Sequence, residues 1–195
     1  MEYMSEFAIQ AKEEFIAIYK EKITRQGADK LLDWLEKSDF FTAPASTKYH
    51  LAEEGGLCRH SLNVYKRLCE IYKEVSDKAS DETLAVVALL HDICKTGFYS
   101  VSTRNKKNEM GQWVEVPFYT INDSFPFGHG EKSVFQIMHF IHLSAEESMA
   151  IRWHMGPFDD SVKGGSFCLS EAFGKYPLAL HLHTADMRAA YLDEK

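Results

Sequence analysis

Apolar residues recur along most of this chain with the period of a helix, and one segment departs from that rule by being apolar all round. Leu84 to Leu90 reads LAVVALL and runs directly into His91 and Asp92, with Lys95 three residues further on. A helix without a polar face packs on several sides. The pattern therefore predicts a buried central helix from Asp77 to Lys95, capped near Ser80, that carries ionisable groups into the interior. A buried imidazole beside a buried carboxylate is costly unless each has a partner, and a metal ion suits both.

The remaining elements follow from the same reading. Phe7, Ile9, Phe15, Ile16, Ile18, Tyr19 and Ile23 predict an amphipathic helix from Glu6 to Ile23 that ends at Gln26-Gly27, and Leu31, Leu32 and Leu35 predict another from Ala28 to Lys37. Asp39 to Leu57 has little periodicity and reads as an irregular connection packed by Phe40, Phe41 and Tyr49, with helix resuming from Leu57 to Val75. The period then changes to two. Tyr99 to Thr103 and Trp113 to Ile121 predict a hairpin, with RNKKNEMG as its polar turn. Helices are expected again from Gly130 to Ile141 and from Ser144 to His154, where Ser144 and Glu147 have capping-box spacing, and from Pro177 to Leu192 after the loop MGPFDDSVKGGS. The fold class is all-α with one small inserted β-hairpin.

At 195 residues and 45% apolar content, the chain is expected to form a single domain. Its parts are N-terminal helices over 1–40, a core over 43–191 and the hairpin insertion over 98–127. The net charge of −7 gives no support for extended binding along a nucleic-acid backbone, and favours small or short substrates. The amino terminus is charged from its second residue and no apolar run approaches membrane-spanning length, so a cytoplasmic protein without membrane contact is expected. Cys58, Cys69, Cys94 and Cys168 fall in no close-pair spacing and read as reduced, buried thiols.

Among the nine histidines, His60, His91, His129 and His154 stand at helix starts or ends, and with Asp92 and Asp186 they make a set of six. Imidazole and carboxylate suit divalent transition metals, and six such groups suffice for two ions if one carboxylate bridges. A helical histidine taken alone is more often an ordinary core or surface residue, the reading given to His139, His142 and His181.

The ordered pieces GGLCRHSLNV, ALLHDICK, FGHGEKS, AIRWHMGP and HTADMRAAY resemble the HD-domain superfamily of metal-dependent phosphohydrolases. Within that superfamily, APASTKYHLAEEGGL is similar to the approach to the catalytic domain of HD-type 3′-to-5′ exoribonucleases and related plasmid-transfer proteins. The resemblance implies an HD-type helical bundle in which His60, His91, Asp92 and Asp186 hold one ion, and Asp92 bridges to a second held by His129 and His154. Iron or manganese are the implied metals, with magnesium, nickel, cobalt or zinc also compatible. Single-metal members lack the two middle histidines, and Trp153-His154 stands where some relatives have consecutive histidines for a third ion.

The implied activity is hydrolysis of a phosphate ester or anhydride in a nucleotide, another phosphorylated small molecule, or a short RNA or DNA end. Asp92 and Lys95 are the expected catalytic residues, with His50, Lys95 and Arg152 contacting substrate. Arg188 is a further phosphate candidate, His183 could orient Asp186, and Arg104, Lys106 and Lys107 at the hairpin turn could meet an acidic ligand. Two alternatives stay open: a di-iron oxygenase on the same scaffold, and a non-catalytic nucleotide-binding module.

Overall fold

The structure, a computed structural model, describes residues 4–194; Glu2, the first charge of the amino terminus, lies outside them. The first helix, α1 (Glu6–Lys22), is capped by the Ser5 hydroxyl, which accepts from the Ala8 amide, and α2 (Ala28–Lys37) buries the three leucines expected of it. After an irregular stretch comes α3 (Gly56–Glu74) and then α4 (Asp81–Leu90), with Ser80 as its cap. Every residue from Leu84 to Leu90 is buried. Helix α4 packs against α1, α3 and α6, so this segment is the centre of the core.

The central helix is shorter than its apolar pattern predicts. It stops at Leu90, and one 3₁₀ turn, Ile93–Lys95, follows. His91 ends the helix because its own Nδ1 donates to the Ala88 carbonyl at 2.8 Å, while Asp92 adopts φ −109°, ψ 15°. That bend turns His91, Asp92 and Lys95 inward together.

Strands β1 (Tyr99–Lys107) and β2 (Trp113–Ile121) form an antiparallel hairpin with Tyr99 opposite Ile121 and Lys107 opposite Trp113. Strand β1 runs four residues further than expected while β2 has the expected bounds, and the turn contracts to the residues around Asn108, whose side-chain oxygen accepts from the Met110 and Gln112 amides. Arg104, Lys106 and Lys107 consequently lie on a strand, where Arg104 stacks on Phe118 and Lys107 on Trp113. The hairpin stands off the helices, with Val101 and Trp113 more than 60% exposed.

Helices α5 (His129–Met138) and α6 (Ala145–Trp153) come next, and both hydrogen bonds of the Ser144–Glu147 capping box are present. A Cβ at Gly130 would fall 2.2 Å from the Arg152 carbonyl oxygen, so glycine lets the first turn of α5 lie directly on the end of α6. The predicted loop contains one short helix, α7 (Asp160–Lys163), and a second, α8 (Cys168–Lys175), follows it before Pro177. Helix α8 buries only Ala172, too little for a periodic signal, and Cys168 is exposed, contrary to the expectation for its thiol. The last helix, α9 (Pro177–Arg188), passes into a π turn over Ala189–Asp193. Among the described residues no helix is long and apolar enough to cross a membrane.

Candidate metal centre

Five separate segments deliver the six singled-out residues to one place. His60 comes from the early part of α3, His91 and Asp92 from the end of α4, His129 from the first position of α5, His154 from the end of α6 and Asp186 from α9. Asp92 lies at the middle. Its Oδ2 is 3.8 Å from His60 Nε2 and 3.5 Å from His91 Nε2, and its Oδ1 is 2.7 Å from His129 Nε2 and 3.4 Å from His154 Nε2. Each carboxylate oxygen thus faces its own pair of rings. Asp186 joins the first pair, with Oδ1 3.2 Å from His60 Nε2.

The opposite ring nitrogens explain why Nε2 points inward in all four rings. His91 Nδ1 donates to Ala88 O, His154 Nδ1 to Ile151 O at 2.6 Å, and His60 Nδ1 to the Glu194 carboxylate at 3.0 Å, while His129 Nδ1 lies 3.4 Å from Cys94 Sγ. A neutral imidazole that donates through Nδ1 has a lone pair on Nε2. His60 and His91 set these atoms 3.3 Å apart, and buried His154 Nε2 has no hydrogen-bond partner among the described residues. Lone pairs held this close repel one another unless a proton or a cation stands among them. The donor set therefore fits divalent metal: one ligand atom each from His60, His91 and Asp186 lies within 4.8 Å of the others, and the same holds for His91, Asp92 and His154 and for Asp92, Cys94 and His129.

The electrostatics agree with that geometry. Burial pulls His60 down, but hydrogen bonds to Asp186 and Glu194 outweigh it and leave the ring at about 10. His129 also stands at about 10, because Cys94 and Asp92 overcome its burial. For His91 burial outweighs the pull of Asp92 and Asp186, and with the neighbouring His154 and His60 takes the ring down to about 3. Burial would raise Asp92, yet Lys95 and the surrounding imidazoles hold it well below the ordinary carboxylate range. The carboxylates thus draw positive charge onto this site.

Lys95 reaches the cluster through the 3₁₀ turn, its Nζ 2.7 Å from Asp92 Oδ2 and donating to Ala45 O at 2.8 Å. His50, from the irregular connection, lies against His60 with ring centroids 5.0 Å apart and planes tilted by 43°. Both line a cavity of about 720 Å³ beside the cluster, whose walls include Tyr49, Phe158 and Tyr191. A larger groove, about 880 Å³, runs past Arg25 and His142, and none of the six residues lines it.

The Arg152 guanidinium is engaged by neighbouring side chains. It meets Asp159 at 2.8 Å and Glu131 at 2.5 Å, donates to Ser161 and stacks on Trp153. His183 is placed differently from expectation, since its Nδ1 donates to the His154 carbonyl at 2.7 Å and so braces the end of α6, not Asp186. Arg188 does not line the cavity. Sequence reading missed two residues of the site, Cys94 and Glu194. The first lies inside the HDICK motif and reads as core; the second sits in a charged stretch that resembles a solvated end.

Neither a curated protein nor a solved structure matches the chain. A family model, the HD domain, matches residues 57–183, a span that contains His60, His91, Asp92, His129 and His154 and stops short of Asp186. A match over more than half the chain, on a helical core that gathers those residues around one aspartate, makes this protein a member of the HD-domain family.

Proposed function

We propose that this chain is a metal-dependent phosphohydrolase that cleaves a phosphate ester or anhydride of a nucleotide or short oligonucleotide. HD-domain proteins are mostly metal-dependent hydrolases. One observation carries the finer reading: the two oxygens of Asp92 face different histidine pairs, His60 with His91 and His129 with His154, and every ring turns Nε2 inward. His60, His91, Asp92 and Asp186 would hold one divalent ion, and Asp92, His129 and His154 a second. Iron or manganese suits such a nitrogen and oxygen donor set. Two divalent ions in this position would lower the pKa of water toward neutrality and neutralise phosphate charge.

The chain's own side chains supply the rest. Lys95 keeps its ammonium charged, because Asp92 more than offsets the burial that would discharge it. From there it can donate to a non-bridging phosphate oxygen as negative charge builds up. His50 offers at the same cavity a buried Nε2 that has no hydrogen-bond partner among the described residues and lies 4.0 Å from Glu194 Oε2. The cavity volume suits a nucleotide, and Tyr49, Phe158 and Tyr191 give its walls aromatic surface.

The test is anaerobic purification, metal analysis, and a phosphate-release screen over nucleotides and short oligonucleotides with iron or manganese restored. About two ions per chain and metal-dependent phosphate release are expected. Protein that binds no divalent metal, or that releases no phosphate from any member of the panel when loaded, overturns the reading.

A further inference from the structure

His60 is held at both ring nitrogens by carboxylates. Asp186, on α9, faces Nε2, and both oxygens of Glu194 accept from Nδ1 at 3.0 Å. The π turn over Ala189–Asp193 brings the chain back onto α3 after α9 ends, so that one helix and the turn beyond it supply both acids. The Glu194 side chain is fully buried. Asn63 Nδ2 donates to its Oε1 at 2.9 Å, and Arg67, one turn further along α3, binds both oxygens of the neighbouring Asp193. His60, Asn63 and Arg67 form a single stripe on α3, and residues 193–194 lie along it.

The four rings of the cluster differ in what their outer nitrogens meet. His91 and His154 donate to main-chain carbonyls, and His129 approaches a thiol. Of the four, and among the described residues, only the outer nitrogen of His60 meets a charged acceptor. A buried carboxylate is costly, and anchoring this segment does not require one, because the Arg67–Asp193 pair already anchors it at the surface. What a carboxylate adds is fixation of the Nδ1–H tautomer and greater donor strength at Nε2.

We infer that Glu194 is a positioning residue for the metal centre: it sets the tautomer and orientation of His60 and strengthens that ring as a ligand. The inference rests on the metal-dependent reading above.

The test compares Glu194→Gln, Glu194→Asp and Glu194→Ala with the parent and with Arg67→Ala. Each protein is stripped of metal, titrated with chelator-buffered Mn²⁺ in equilibrium dialysis, and loaded with Co²⁺ for its visible absorption spectrum. Glu194→Gln keeps the shape and one acceptor oxygen, so it carries the test even where Glu194→Ala fails to fold. The expected result is 10- to 100-fold weaker Mn²⁺ binding and altered cobalt bands for Glu194→Gln, roughly the range for losing an outer partner of a ligand histidine. Glu194→Asp should recover part of that loss, and Arg67→Ala should bind like the parent. Parent-like binding and spectrum in Glu194→Gln overturn the inference, as does an equal loss in Arg67→Ala, which would make anchoring the whole effect. A parent that binds no Mn²⁺ or Co²⁺ overturns the metal-dependent reading itself, and the comparison with the variants keeps the two failures apart.

Discussion

Asp92 has more to lose by substitution than any other residue of the cluster, because two separate sets of donors share it. Removing a single histidine leaves one histidine pair with its carboxylate oxygen. Removing Asp92 deprives both pairs at once and leaves His60 Nε2 and His91 Nε2 facing each other across 3.3 Å. On the proposed two-ion reading, Asp92→Ala is therefore expected to lose both ions or most of their occupancy, read by metal analysis after dialysis; retention of one full equivalent would show that the sites do not share this residue. Lys95 makes the opposite prediction. Its ammonium has no lone pair to offer a metal, so Lys95→Ala should retain nearly full metal content while kcat falls by ~10²–10³, the usual loss for a donor aimed at developing charge. Unchanged kcat on the true substrate would remove Lys95 from the chemistry.

Among the elements, those with a strong local signal were legible in the sequence. LAVVALL could only be buried, Ser144 and Glu147 are complementary at capping distance, and the change to period two marks the hairpin. What could not be read depends on contacts between distant segments. Helix α4 stops at Leu90 because a side chain competes for its last carbonyls, which propensity does not register, and α8 has too little buried surface to show a period. Glu194 becomes part of the site only through a π turn that no local pattern announces. Four histidines and two aspartates were legible as a set, although their partition between the two oxygens of Asp92 needed coordinates.

The hairpin invites a prediction at this same scale. It is joined to the core near Tyr99, whose hydroxyl donates to Ala45 O, the carbonyl that also holds Lys95. Its outer half touches little besides itself. Thr103 pairs with Pro117, so residues 104–116 can be replaced by a tight turn without changing register. Metal content and Tm should stay close to the parent, while KM shifts across a nucleotide and oligonucleotide panel. Equal constants across that panel would make the ribbon a structural appendage.

For the molecule as a whole, acid sensitivity should come in part from a site remote from the metal centre. Arg25, just beyond α1, meets Glu147 of α6 through both terminal nitrogens, at 3.0 and 2.8 Å, and lies 3.6 Å from Glu82 of α4. Burial would raise Glu147, but Arg25 and the Ser144 amide outweigh it and leave its pKa depressed. A carboxylate depressed in the folded state contributes stability that is complete above its unfolded value of about 4.3 and is lost as pH falls through the lower folded value. Glu147→Gln should thus lower stability at neutral pH and flatten the acid limb of a stability–pH curve. Arg25→Ala should cost ~3 kcal/mol at pH 7, since it leaves a carboxylate buried without its cation. Urea midpoints from pH 3 to 7 check both, and a Glu147→Gln curve parallel to the parent's would remove the pair from the acid response.

The grip on His60 also fixes when the centre can exist during folding. His60 and Glu194 are 134 residues apart in the chain, and closing so long a loop is entropically unfavourable until intervening helices have docked. A chain still emerging from the ribosome with α9 enclosed has no Asp186 to offer and cannot complete the first set of donors. Ion capture then belongs to the end of folding, after the helical core has formed. In refolding with Co²⁺ present, far-ultraviolet ellipticity should recover before the visible absorption bands, and simultaneous recovery would place metal capture in the folding nucleus.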